Sequence, residues 1–157
     1  MSFEKRREIV SFLMRAMVGA VLIYSGYIKI SEPLESFISS ILSYKVVGES
    51  IAYYSALILP WAEVYIGVLL ILGLFTKLMT KAAFLLFCFF EILLLQAMAR
   101  GLEVVNCGCF GSKHSNPIGV EFALNLIWIF FVFMAYKYSY HFSLDKFIEK
   151  KYNSNEK

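Results

Sequence analysis

The chain has 157 residues, 59% of them hydrophobic and 17% charged, with 17% aromatics and a formal net charge of +3. The hydrophobic share exceeds the roughly 45–50% of soluble domains, and the charged share falls short of the usual quarter; disorder, collagen and coiled coil are excluded. The cations gather at the chain ends and in short loops without interleaved aromatics, so nucleic acid is not an expected partner.

The apolar residues fall into four blocks, at about 9–30, 55–75, 82–99 and 118–136. Each approaches the ~20 residues that a helix needs to cross the hydrocarbon core. Backbone polar groups in lipid must be satisfied within their own segment, so the blocks predict an all-α membrane protein built as a four-transmembrane-helix bundle. The first block follows Lys5, Arg6 and Arg7, is too long for a signal-peptide core, and runs on into Lys29, Glu32 and Glu35. An uncleaved signal anchor is the expectation.

After Pro33, the residues Leu34, Phe37, Ile38, Ile41 and Leu42 recur at helical spacing. They predict an amphipathic helix over 33–45, lying on the outer membrane surface and stopping near Gly48. In the second block, Pro60 stands one turn before Glu63 and is expected to kink the helix there. Gly19, Gly26, Gly67 and Gly73 are expected to let helices approach closely. The third block carries Cys88, whose plainest reading is a small buried apolar side chain. The tail repeats a weak amphipathic pattern in Leu144, Phe147, Ile148 and Lys151, expected as a surface helix.

Positive charge orients the spans. One side collects Lys5, Arg6, Arg7, Lys77, Lys81, Lys137, Lys146, Lys150, Lys151 and Lys157; the other keeps Lys45 and Lys113, with Lys29 and Arg100 at helix ends. Both termini are therefore expected in the cytoplasm, with the 31–54 and 100–117 loops outside. The expected organisation is a cytoplasmic N-terminus over 1–8, the transmembrane domain over 9–138 and a cytoplasmic tail over 139–157.

The outer loop after the third block reads Arg100-Gly101-Leu102-Glu103-Val104-Val105-Asn106-Cys107-Gly108-Cys109-Phe110-Gly111. On the non-cytoplasmic side thiols form persistent disulfides. A disulfide closed over one residue is a tight ring, suited to exchange rather than to bracing the fold. Three readings stay open: a redox-active dithiol pair at Cys107 and Cys109; a metal site of Cys107, Cys109 and His114, which supply soft or borderline ligands; and a static structural loop.

Ionisable groups inside spans are functional suspects. Here they are Arg15, Glu63, Glu91 and Glu121, with Gln96 and Asn125 as neutral companions. Counted from the outer boundary, Glu63, Glu91 and Asn125 fall about 10–12 Å deep, at one level. Tyr24 and Tyr27 reach similar or shallower depths with Lys29 above them, and Arg100 and Glu121 stand near the rim. Lys29 and Arg100 are expected to neutralise Glu63 and Glu91, and either cation favours a thiolate above. Arg15 lies deeper and is expected to pair with a carboxylate or to reach toward the cytoplasm. The layer reads either as a network that fixes helix packing or as a proton-handling pocket coupled to the dithiol.

Taken in order, these residues resemble the MauE/DoxX family of small four-helix membrane proteins. The resemblance rests on Arg15, Gly19, Gly26, Lys29, Pro33 and Phe37, then Pro60, Glu63, Gly67 and Gly73, then Arg100-Gly101 with Asn106-Cys107-Gly108-Cys109-Phe110-Gly111, and Asn125. It covers about residues 10–138. It implies redox maturation work in a bacterial inner membrane, with the cysteine loop on the periplasmic side and a thioredoxin-like partner there. MauE-like proteins serve the disulfide-rich β-subunit of methylamine dehydrogenase, and DoxX/DoxD-like relatives are tied to thiosulfate:quinone oxidoreduction. A thiol–disulfide oxidoreductase or a subunit of one is therefore the leading expectation, with a membrane assembly scaffold as the alternative. A quinone is the one cofactor that the resemblance implies. The chain lacks the second outer cysteine pair and the intramembrane C-x-x-C of four-helix quinone-linked disulfide enzymes.

Overall fold

Helix is the only regular structure among the residues that the computed structural model describes, which are 3–102 and 117–138. The five helices are α1 (Phe3–Ser31), α2 (Leu34–Ser43), α3 (Glu49–Leu72), α4 (Thr76–Ala99) and α5 (Ile118–Tyr138). Within them Ile9–Ser31, Glu49–Leu72, Thr76–Ala99 and Ile118–Lys137 are long and apolar enough to cross a membrane. The four-span, all-α expectation holds. The second and third spans start earlier than their apolar blocks, because α3 takes in Glu49 and α4 takes in Lys77 and Lys81.

Local chemistry sets the breaks. Pro33 has no N–H to continue α1 and stands as the N-cap of α2 at φ −56°. Lys45 follows α2 in the left-handed region, at φ 51°. Gly73 ends α3 at φ 70°, and the Leu74 N–H donates back to the Leu69 carbonyl at 3.1 Å. Gly101 repeats the device after α4 at φ 59°, with the Leu102 N–H donating to the Ala97 carbonyl at 3.0 Å. Both are six-to-one closures that favour glycine, which lacks a Cβ. Gly73 thus serves as a helix stop.

The four long helices form a ring in which α1 lies between α3 and α5, and α4 between α5 and α3; α2 packs mainly on α3. Val18, Leu22, Leu70, Ala83, Phe87 and Val132 make the apolar centre. The outward faces are also apolar, with Leu13, Ile58, Trp61, Leu85, Ile92 and Phe130 exposed, while Arg15, Lys29, Glu63, Glu121 and Asn125 are buried. A soluble domain has the reverse arrangement, and lipid is the solvent that this one suits.

The largest interface, α1 on α3, is a seam of small residues. A Cβ added at Gly67 would meet the Gly19 carbonyl oxygen at 2.6 Å, and one at Gly19 would meet the Gly67 carbonyl at 2.7 Å. Gly26 lies against the Pro60 carbonyl in the same way, at 2.6 Å. The backbones therefore touch at two places seven residues apart on each helix. Small-residue interfaces bring van der Waals surfaces together where no hydrophobic force separates helix from lipid.

A buried polar cluster spanning four helices

The seam sets the position of the first charged pair. Lys29 on α1 and Glu63 on α3 lie beside the Gly26–Pro60 contact, and Lys29 Nζ meets Glu63 Oε1 at 2.5 Å. Their side chains are 0% and 1% exposed, so the pair is fully withdrawn from solvent. Ser25, one helical turn before Lys29, completes it: Lys29 Nζ donates to Ser25 Oγ at 2.9 Å, and Ser25 Oγ donates to Glu63 Oε2 at 3.1 Å. Two rings enclose the ammonium. Phe37 from α2 has its centroid 5.5 Å away, and Phe90 from α4 has its centroid 5.1 Å away, both within cation–π range. The ion has a carboxylate, a hydroxyl and two aromatic faces in place of water.

A second polar pair joins α4 and α5. Asn125 Nδ2 donates to Glu91 Oε2 at 2.7 Å and to the Phe87 carbonyl at 3.0 Å. Glu91 Oε1 and the Gln96 amide are buried atoms with no hydrogen-bond partner among the described residues. Between the two pairs lies a cavity of about 20 Å³ with a mostly apolar wall (Val21, Leu22, Phe87, Phe90 and Trp128), which Ser25, Glu63, Glu121 and Asn125 also border. A cavity above ~10–15 Å³ has room for one water when polar groups face it. Glu63 of α3, Ser25 of α1, and Glu121 and Asn125 of α5 thus face one small space, with Glu91 of α4 tied to its edge through Asn125.

The structure brings together Lys29, Glu63, Glu91, Glu121 and Asn125 out of the sequence-derived set. Others stand apart. Tyr24 and Tyr27 are exposed on the outer side of α1, at 55% and 64%. Arg100 caps α4, and its Nη1 donates to the Lys45 carbonyl in the α2–α3 turn at 3.4 Å. The partner of Glu91 is therefore Asn125 rather than Arg100. Arg15 is buried in the other half of α1, with Nη1 donating to Thr76 Oγ1 at 3.3 Å. Cys88 is half-buried on α4. Ser25 and Phe90 were missed by sequence reasoning, and Phe37 was read without its place over Lys29; Ser25 carried a legible signal in its i, i+4 spacing to Lys29.

Cys107, Cys109 and His114 lie outside the described residues, as does the tail with Leu144 and Phe147. Among the described residues no group of three metal-ligating side chains occurs. The cysteine segment is tethered at Leu102, where α4 closes, and at Pro117, whose carbonyl accepts the first α5 hydrogen bonds at 2.8 and 3.3 Å. Glu121, one turn into α5, borders the small cavity.

A family model described as Methylamine utilisation protein MauE matches residues 7–138, which takes in all four membrane-length segments and the cysteine loop. The chain belongs to the MauE family. Together with its four apolar helices, membership makes this MauE-family chain an integral membrane protein. No curated protein and no solved structure matches it significantly.

Proposed function

We propose that this MauE-family protein is the membrane component of a thiol–disulfide relay, exchanging electrons through Cys107 and Cys109 with a thioredoxin-fold partner outside the cytoplasm. The observation that carries the reading is the buried Lys29–Glu63–Ser25 cluster, with Glu91, Glu121 and Asn125, in a family member whose Cys-Gly-Cys segment joins α4 to α5. A polar layer drawn from four helices, with carboxylates on three of them, is costly in lipid.

In one direction, a partner thiolate attacks one sulfur of a Cys107–Cys109 disulfide, forming a mixed disulfide and releasing the other cysteine as thiolate. The second partner thiol then displaces the first bond. The partner leaves oxidised, Cys107 and Cys109 are left as thiols, and two electrons and two protons have moved. The opposite direction reverses each step. The buried cluster serves the protons: Glu121 and Glu63 face a common space that admits one water.

Alkylation of free thiols on the purified protein in lipid, before and after mixing with a dithiol or disulfide thioredoxin-fold protein, tests the relay. Cys107 and Cys109 are expected to change oxidation state together while Cys88 does not. Unchanged labelling of both under either condition overturns the reading and favours a membrane scaffold.

A further inference from the structure

One large space in the bundle is untouched by the relay reading. Between α3 and α4, the smallest of the ring's four interfaces, runs a groove of about 490 Å³, within the ~300–1,000 Å³ of small-molecule sites. Its long wall is one stripe of α3: Ile51, Tyr54, Ser55, Ile58, Leu59 and Ala62. From Ile51 to Ala62 the stripe descends about 16 Å at 1.5 Å per residue. The α2–α3 turn, through Val46 and Val47, borders the mouth. Phe37 and Phe90 border the groove as well, and these two rings also cover the Lys29 ammonium. Ile51, Tyr54, Ile58 and Phe89 are exposed, so the groove opens on the outer, lipid-facing side.

The mouth differs in character from the shaft. Lys45 directly precedes Val46 of the mouth, and it and Arg100 are exposed and adjacent, since Arg100 Nη1 donates to the Lys45 carbonyl. The start of α3 adds to them: its N-cap is Gly48, which supplies no side-chain acceptor to the first N–H groups. Those groups carry the positive end of the helix dipole. Among the described residues of this end, Glu49 in the first turn of α3 is set against these two cations and the helix end. An apolar shaft about 16 Å deep under a net positive rim is complementary to one kind of molecule: a long apolar chain with an anionic head.

We propose that the α2–α3–α4 groove binds one acyl chain of an acidic glycerophospholipid, with the headgroup phosphate at Lys45 and Arg100. The chain end then packs on Phe37 and Phe90 and completes the apolar wall around the Lys29–Glu63 pair. The lipid is a structural ligand of the bundle, drawn from the membrane itself.

Native mass spectrometry of the full chain, reconstituted with equal amounts of phosphatidylglycerol and phosphatidylcholine of identical acyl chains, tests this. The wild type is expected to retain one phosphatidylglycerol in at least about tenfold preference over phosphatidylcholine. Lys45→Gln combined with Arg100→Gln is expected to bring that preference close to one. Ala62→Trp, which fills the lower shaft, is expected to lose the bound lipid while helix content and monodispersity are unchanged. Should Ala62→Trp misfold, Ser55→Trp, higher on the same stripe, provides the same comparison. Equal retention of the two lipids by the wild type, a copurifying neutral ligand in the groove, or retention unaffected by the tryptophan variants overturns the proposal.

Discussion

The two faces of α3 differ sharply: one is closed against α1 and the other borders an open groove. On one face Pro60, Glu63 and Gly67 are buried against α1, with carbonyl oxygens where a side chain would otherwise stand. On the other, Ile51, Tyr54 and Ile58 are exposed beside a groove that α4 does not fill. Small residues let the backbones of α1 and α3 meet, and the charges next to that contact lose their water and must find each other. Between α3 and α4, side chains such as Ile58, Leu59, Phe89 and Leu93 border a groove. Residue size, rather than hydrophobicity, decides where this protein is closed and where it is open, because lipid is as apolar as leucine.

The closed face fails most severely when its charge balance is broken. Glu63→Ala leaves the Lys29 ammonium buried beside Ser25 and two aromatic rings with no counter-charge, and is expected to cost about 3–5 kcal/mol, read as a shift in the denaturation midpoint in detergent. Lys29→Met with Glu63→Leu is expected to recover most of that loss, since no unpaired charge remains. A double variant as unstable as the sum of the single ones would show that the pair itself, not its desolvation, holds α1 on α3.

The seam comes next. Gly67→Ala places a Cβ within 2.6 Å of the Gly19 carbonyl and has to push the helices apart; about 1–3 kcal/mol is expected. Gly48→Ala meets nothing within 4 Å and is expected to stay within about 0.5 kcal/mol of the wild type in the same assay. If the two alanine variants behave alike, the contrast between tight and open regions does not govern stability.

Smaller still is the effect expected at Asn125. Asn125→Leu removes the donor to Glu91 Oε2 and to the Phe87 carbonyl, a loss of about 0.6–1.7 kcal/mol by analogy with interhelical hydrogen bonds in membranes. Recovery by Asn125→Gln, but not by Asn125→Leu, would identify the bond as the cause.

How far these contrasts were legible in the sequence follows from their range. The four spans were plain because each is a property of one continuous segment. The starts of α3 and α4 were not, since hydropathy stops at Glu49, Lys77 and Lys81 while helical hydrogen bonding continues through them. Lys29 and Glu63 were matched by depth alone, and the seam bears that match out. Depth did not locate the partner of Glu91. Arg100 caps the helix nine residues on, about 13.5 Å along the axis, whereas Asn125 comes from a different helix. Gly73 ends α3 with a left-handed backbone, a role that shows in φ and not in hydropathy. The groove has no sequence signature, because it is defined by what two helices fail to touch.

The relay itself is tested most directly by trapping. Cys107→Ser and Cys109→Ser are each expressed with Cys88→Ala, so that one thiol remains per chain, and membranes are collected under acid quench. One of the two variants is predicted to carry a reductant-sensitive covalent adduct with a thioredoxin-fold protein from outside the cytoplasm. Absence of an adduct from both, with full activity in cells for the chain lacking all three cysteines, would contradict the account.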